Sequence, residues 1–302
     1  MARVTLKPRL RTIVSVLAAC APLHLAAQNM RLPALPNSVR FLVIGDAGTG
    51  DRPQYDVAGR IVRYYAEFPF TFAIMLGDNI YGAERPQDFV KKFERPYKRL
   101  LDAGVKFHAA LGNHDDPNQR YYKPFNLDGK RYRTFKEGHV RFFIIDSNYL
   151  DPEQVEWLEK ELEASDSEWK IAYFHHPLYT TARRGPEVEL RAILEPLFVK
   201  HGVDVVFAGH EHIYERFKPQ KEIHHFIVGG AAKLRRGDTR RGPFTAAAFD
   251  TDRSFMLVEI IDNKMFFQTF SRTGTVVDEG IITTREAAEP TRADVMPLVA
   301  QP

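Results

Sequence analysis

The stretch VRFLVIG, residues 39–45, followed at once by Asp46-Ala47-Gly48, decides how the rest of the chain is read. It is a short apolar run that ends in a glycine and then an acid, as a buried strand does. The pattern recurs as TFAIMLG at 71–77 before Asp78, VKFHAALG at 105–112 before Asn113, and VDVVFAG at 203–209 before His210. Helical patterns lie between these runs at 53–68, where Val57, Ile61 and Tyr65 fall at helical spacing, and at 86–101, 152–164 and 186–201. Each of the four starts near a proline, a residue suited to the first helical turn. Apolar strands separated by helices imply buried parallel pairing. Segments 131–136, 139–146, 170–175, 223–229, 254–261, 264–271 and 275–282 read as further strands of more antiparallel character. The expected fold is α/β: two mixed β-sheets packed as a sandwich, flanked by helices.

The ends of the chain read differently. Residues 1–11 carry Arg3, Lys7, Arg9 and Arg11 and no acid, and an apolar stretch from Ile13 to Ala21 follows. This is the pattern of an export signal over 1–27, too short to span a bilayer. Leu17-Ala18-Ala19-Cys20 resembles a lipoprotein cleavage site, which would leave a lipid anchor on Cys20; Leu25-Ala26-Ala27 offers an ordinary one. Export predicts a periplasmic, secreted or membrane-anchored protein. One domain is expected over 36–285, with a disordered tail at 286–302. Removing the four basic residues of the leader takes the formal charge from +3 to about −1. The basic balance therefore carries no argument for nucleic acid, and no basic-aromatic patch supports it either. Cys20 is the only cysteine, so neither a thiolate metal site nor a cysteine nucleophile is available in the body.

Five polar clusters sit at the carboxyl ends of the expected strands: Gly45-Asp46-Ala47-Gly48, Gly77-Asp78-Asn79-Ile80-Tyr81, Gly112-Asn113-His114-Asp115, His175-His176-Pro177 and Gly209-His210-Glu211-His212. Ligands bind at that edge of open α/β sheets. Each glycine is expected to turn the backbone so that the next side chain enters the crevice. On a strand end His210 and His212 would point the same way and reach one site. Taken singly, an acid or asparagine here is a turn residue or cap. Taken together, two Asp, one Asn and three His form an oxygen and nitrogen donor set suited to Fe, Zn or Mn. Two such ions a few ångströms apart are a known clamp for phosphoryl displacement.

The ordered blocks GDxG, GDNxY, GNHD, His175 and GHxH resemble the calcineurin-like metallophosphoesterase superfamily over residues 40–216. Tyr81 makes the chain similar to the purple acid phosphatases, and His176-Pro177-Leu178-Tyr179 to their bacterial members. The resemblance implies a metal-dependent phosphatase that cleaves phosphorylated small molecules by a metal-bound hydroxide. It also implies that Asp46, Tyr81 and His212 hold Fe(III), that Asn113, His175 and His210 hold Fe(II), Zn(II) or Mn(II), and that Asp78 bridges the two. His114 would be the general acid. Asp115 reads either as a residue that orients His114 or another group beside the ligands, or as a turn residue. Ala172 and Asp116 depart from the group's usual residues. A phosphodiesterase or nucleotidase on the same fold is the main alternative, and a non-catalytic phosphate-binding protein the remoter one. Arg183-Arg184 and Arg235-Arg236 read as solvated pairs, one ring at most of His224-His225 reaches the site, and His108, His139 and His201 read as structural.

Overall fold

A computed structural model describes residues 30–285; the expected signal over 1–27, with Cys20, and the expected tail over 286–302 lie outside the described residues. The first sheet runs β13(Val276–Thr283)-β12(Lys264–Ser271)-β11(Ser254–Ile261)-β1(Val39–Ile44)-β2(Phe72–Met75)-β3(Lys106–Ala109). The second runs β10(Thr245–Phe249)-β8(Tyr214–Phe217)-β9(His224–Val228)-β7(Val205–Ala208)-β6(Trp169–Phe174)-β5(Val140–Ile144)-β4(Arg133–Glu137). Strands β1, β2 and β3 are parallel, as expected. Strands β5, β6, β7 and β9 are also parallel, which corrects the antiparallel reading of 139–146, 170–175 and 223–229. The reason is connectivity. Helix α4(Pro152–Glu163) separates β5 from β6 and α5(Val188–Lys200) separates β6 from β7, and a crossover helix returns the chain to the same end of the sheet.

Alternation along each strand builds two cores. Phe41, Phe72, Phe142 and Phe207 meet between the sheets, with Phe41 edge-on to Phe142 at 5.4 Å and to Phe207 at 6.4 Å. Their neighbours Phe143, Ala172, Phe174 and Val206 face the other way, against Leu158, Leu162, Leu194 and Phe198 of α4 and α5. Helices α1(Arg52–Glu67) and α3(Arg95–Asp102) lie with the first sheet. The expected helix 86–101 is interrupted: α2(Pro86–Phe89) passes through a π turn at Val90–Glu94 before α3. Pro96 has no N–H to give the Lys92 carbonyl, and the Gln54 amide donates to it instead.

Folding in this way brings the carboxyl ends of β1, β2, β3, β5, β6 and β7 to one edge of the sandwich. The five polar clusters all lie there.

Candidate metal centre

Left-handed backbone, rather than glycine alone, aims the side chains. Asp46, Asp78 and His210 have φ of +54°, +51° and +68°. Of the four preceding glycines only Gly77 is left-handed, at φ +87°. The expectation that each glycine makes the turn is corrected accordingly. Gly45, Gly112 and Gly209 are needed for close approach: a methyl on Gly112 would stand 2.2 Å from the Asp78 nitrogen and 2.3 Å from its Oδ1. Non-glycine residues in this region cost about 1–3 kcal/mol each and persist where the surroundings over-determine them. Here the Asp46 N–H donates to Gly77 O, and the His210 N–H donates to Asp46 Oδ2 at 2.9 Å.

Two donor triads result. In the first, the Tyr81 hydroxyl lies 2.9 Å from Asp46 Oδ1 and 3.2 Å from His212 Nε2, and His212 Nε2 lies 3.3 Å from Asp46 Oδ1. In the second, Asn113 Oδ1 lies 3.0 Å from His175 Nε2 and 2.9 Å from His210 Nδ1, and the two ring nitrogens are 3.1 Å apart. Asp78 stands between them. Its Oδ1 is 3.3 Å from His175 Nε2, and one of its carboxylate oxygens groups with an Asp46 carboxylate oxygen and a His212 ring nitrogen within 4.8 Å. His175 Nδ1 meets Leu76 O at 2.8 Å, which fixes the ring and turns Nε2 into the site. His210 and His212 fall into different triads, because the left-handed backbone of His210 breaks the extended geometry that would have aligned them.

The electrostatics suit cations. Asp46 and Asp78 are buried, and among the described residues neither has a Lys or Arg within ion-pair distance. Burial pushes the Asp46 carboxyl up to about 8, with Asp78 adding and His175 opposing. Burial first, then neighbouring positive groups, holds His210 down to about 2 and His212 to about 4. Burial and the two carboxylates raise the Tyr81 phenol far above its ordinary range. Imidazoles held neutral with lone pairs inward, beside uncompensated buried carboxylates, are what a metal ion relieves.

Around the triads the structure separates the remaining candidates. His114 is exposed, its ring 5.1 Å from that of Tyr81, and its N–H donates to Asp78 Oδ1. Asp115 is turned away from that ring. It accepts from the N–H groups of Gly112, Asn79 and Ile80 and from the amides of Asn79 and Gln119, so it clasps two ligand loops together. Burial pushes it up to about 7. His176, which the sequence reading left without a role, groups with His175 and His210 within 4.8 Å. Ser147 Oγ lies 2.8 Å from its Nδ1, and the doublet His175-His176 was the available signal. Arg184 is exposed, as a solvated residue is, yet its guanidinium reaches His210, with Nη1 3.4 Å from Nδ1. His225 is buried against Tyr179, and His108 against Phe135, both away from the site.

Residues 39–214 match the family described as calcineurin-like phosphoesterase. The chain belongs to that family. Purple acid phosphatase 17 of Arabidopsis thaliana is 26% identical over 238 residues, which cover 67% of this chain and 70% of the relative. Tartrate-resistant acid phosphatase type 5 of Homo sapiens is 25% identical over 252 residues, covering 68% and 78%. Fe(3+)-Zn(2+) purple acid phosphatase 12 of Arabidopsis thaliana is 44% identical over 219 residues, covering 63% of this chain and 46% of the relative, so the match spans about half of that longer protein. Purple acid phosphatase PPD1 from yellow lupin superposes with a TM-score of 0.69 at 20% identity, over 83% of this chain and 55% of that one. GAP50, the anchor in the inner membrane complex of Plasmodium, gives 0.71 at 18% identity, over 82% and 89%. At these identities the structural likeness is one of fold. The family and the relatives support a metal-dependent phosphatase, and the donor triads support a two-metal centre. Among the described residues no helix is long and apolar enough to cross a membrane.

Proposed function

We propose that the protein is a dinuclear-metal hydrolase of phosphomonoesters. The observation that carries the reading is the position of Asp78, whose carboxylate reaches both donor triads. In this reading Asp46, Tyr81 and His212 hold Fe(III), and Asn113, His175 and His210 hold Fe(II), Zn(II) or Mn(II). When bound, the two ions supply Lewis acidity and an activated water. The chain's own residues do the rest. Asp115 holds the loops of Asp78 and Asn113 in register. His114, exposed at the rim beside Tyr81, gives its proton to the leaving oxygen, a contribution typically of 10²–10⁴-fold. A cleft of about 420 Å³ opens beside Asn113 and His176 and is lined by Ser147, Asn148, Tyr149 and Glu187. It receives the alcohol part of the substrate, with Tyr149 as an exposed aromatic wall. The basic, then apolar, leader supports action outside the cytoplasm.

The test compares kcat/KM for an aryl phosphomonoester and an aryl phosphodiester on metal-replete protein from about pH 4 to 9, the range that spans carboxylate and imidazole titration. A monoester preference with an acidic optimum is expected. A diester preference reassigns the chain to the phosphodiesterases, and no turnover of either overturns the enzymatic reading.

A further inference from the structure

Two cations stand at the centre's rim without a carboxylate partner. The Arg184 guanidinium lies on the imidazole of His210, in one triad, and the Lys233 ammonium lies 4.4 Å above the ring of Tyr81, in the other. Their neighbours are neutralised. Arg183 pairs with Asp238 at 3.6 Å, and Arg235 pairs with Glu211 at 3.2 Å. Among the described residues no carboxylate lies within 4.0 Å of Arg184 or Lys233. Arg183 beside Arg184 and Arg235 near Lys233 are thus held by carboxylates, while Arg184 and Lys233 face the site.

The segments that carry them are tied down. The Lys233 N–H donates to Asp46 O, and the Arg235 N–H donates to His212 O. The Arg183 N–H reaches Asp238, the Arg240 N–H reaches Thr181 Oγ1, and the Thr181 N–H donates to the buried Glu215. Two loops from distant parts of the chain are bound to each other and to the ligand loops. A cation on a fixed loop loses little entropy when it takes an anion. A free cation set over metal-ligating side chains costs affinity for metal unless an anion completes the site. The anion that the proposed function brings is a phosphoryl group, whose oxygens match a guanidinium fork and an ammonium point charge.

We propose that Arg184 and Lys233 are substrate-positioning residues that grip the phosphoryl oxygens from opposite triads. The inference rests on the phosphatase reading for its ligand but not for its test. The probe is inorganic phosphate, titrated calorimetrically into metal-loaded protein, wild type against Arg184→Ala, Lys233→Ala and the double variant. A charge-assisted hydrogen bond contributes enough that each single variant should weaken phosphate binding about 10- to 100-fold. Metal content and Tm should stay at the wild-type values, and Arg184→Lys and Lys233→Arg should recover part of the loss. Where turnover is present, KM for an aryl phosphomonoester should rise more than kcat falls. Unchanged phosphate affinity in the double variant overturns the proposal. So does a loss of metal or Tm that the conservative variants fail to rescue, since that marks a structural role. Absence of turnover in wild type bears on the phosphatase reading alone.

Discussion

Gly112 shows how closely single residues are specified at this centre. Its position leaves no room for a methyl, because Asp78 N and Oδ1 would lie at 2.2 and 2.3 Å from it. Gly112→Ala must push Asp78 out of its place between the triads. The substitution should cost about 1–3 kcal/mol of stability, as overpacking does, and should lower metal content, read by denaturation and elemental analysis together. A variant with wild-type metal content would place the strain elsewhere. The convergence of Asp46, Asp78, Asn113, His175, His210 and His212 was legible because each lies just past an apolar run at a strand end, whereas Tyr81 was singled out by the family resemblance alone. His176 and the split of Arg183 from Arg184 were not. Adjacent residues on a loop share one sequence signal, and only tertiary contacts, Asp238 for Arg183 and His210 for Arg184, separate them.

At the scale of elements, β3 meets β4 through an unusual pair. His108 stacks on Phe135 with centroids 4.0 Å apart and interplanar angle 15°, and neither ring nitrogen has a hydrogen-bond partner. The ring is used as an aromatic. Burial first, then Arg133 and Lys106, lowers its pKa to about 3. The folded value lies below the unfolded value near 6.5, so the unfolded chain binds the proton first. The stability this group allows is complete above pH 6.5 and is lost as pH falls from there toward 3. His108→Phe should remove that term. Between pH 7.5 and 5 it should lose about 2 kcal/mol less than wild type in denaturant titrations. An equal loss in both proteins would show that His108 is not protonated on unfolding. Strands such as β1, β2 and β7 were readable from apolar runs closed by glycine. Strands β8 and β10 were not, since YERF is short and half charged and TAAAF is short and mostly alanine, a residue depleted in strands. The π turn before α3 could not be read either, because it depends on Gln54 arriving from α1 to satisfy Lys92 O.

The whole molecule converts topology into a site. Parallel strands of both sheets end at one edge, so loops distant in sequence meet there, and the antiparallel β11–β13 add breadth without ligands. The sandwich and its helices were legible from the alternation of runs and helices. The parallel pairing of β5, β6 and β9 was harder, because buried strands of either orientation share one apolar pattern. In the proposed centre one chain holds two ions across a shared Asp78. The direct measurement is metal per chain by elemental analysis, on wild type, His212→Ala and His210→Ala, with aryl phosphomonoester hydrolysis assayed alongside. Two metals in wild type, about one in each variant and hydrolysis lost in both would agree with the account. A fully active wild type with one metal or none, or variants that retain both metals and activity, would contradict it.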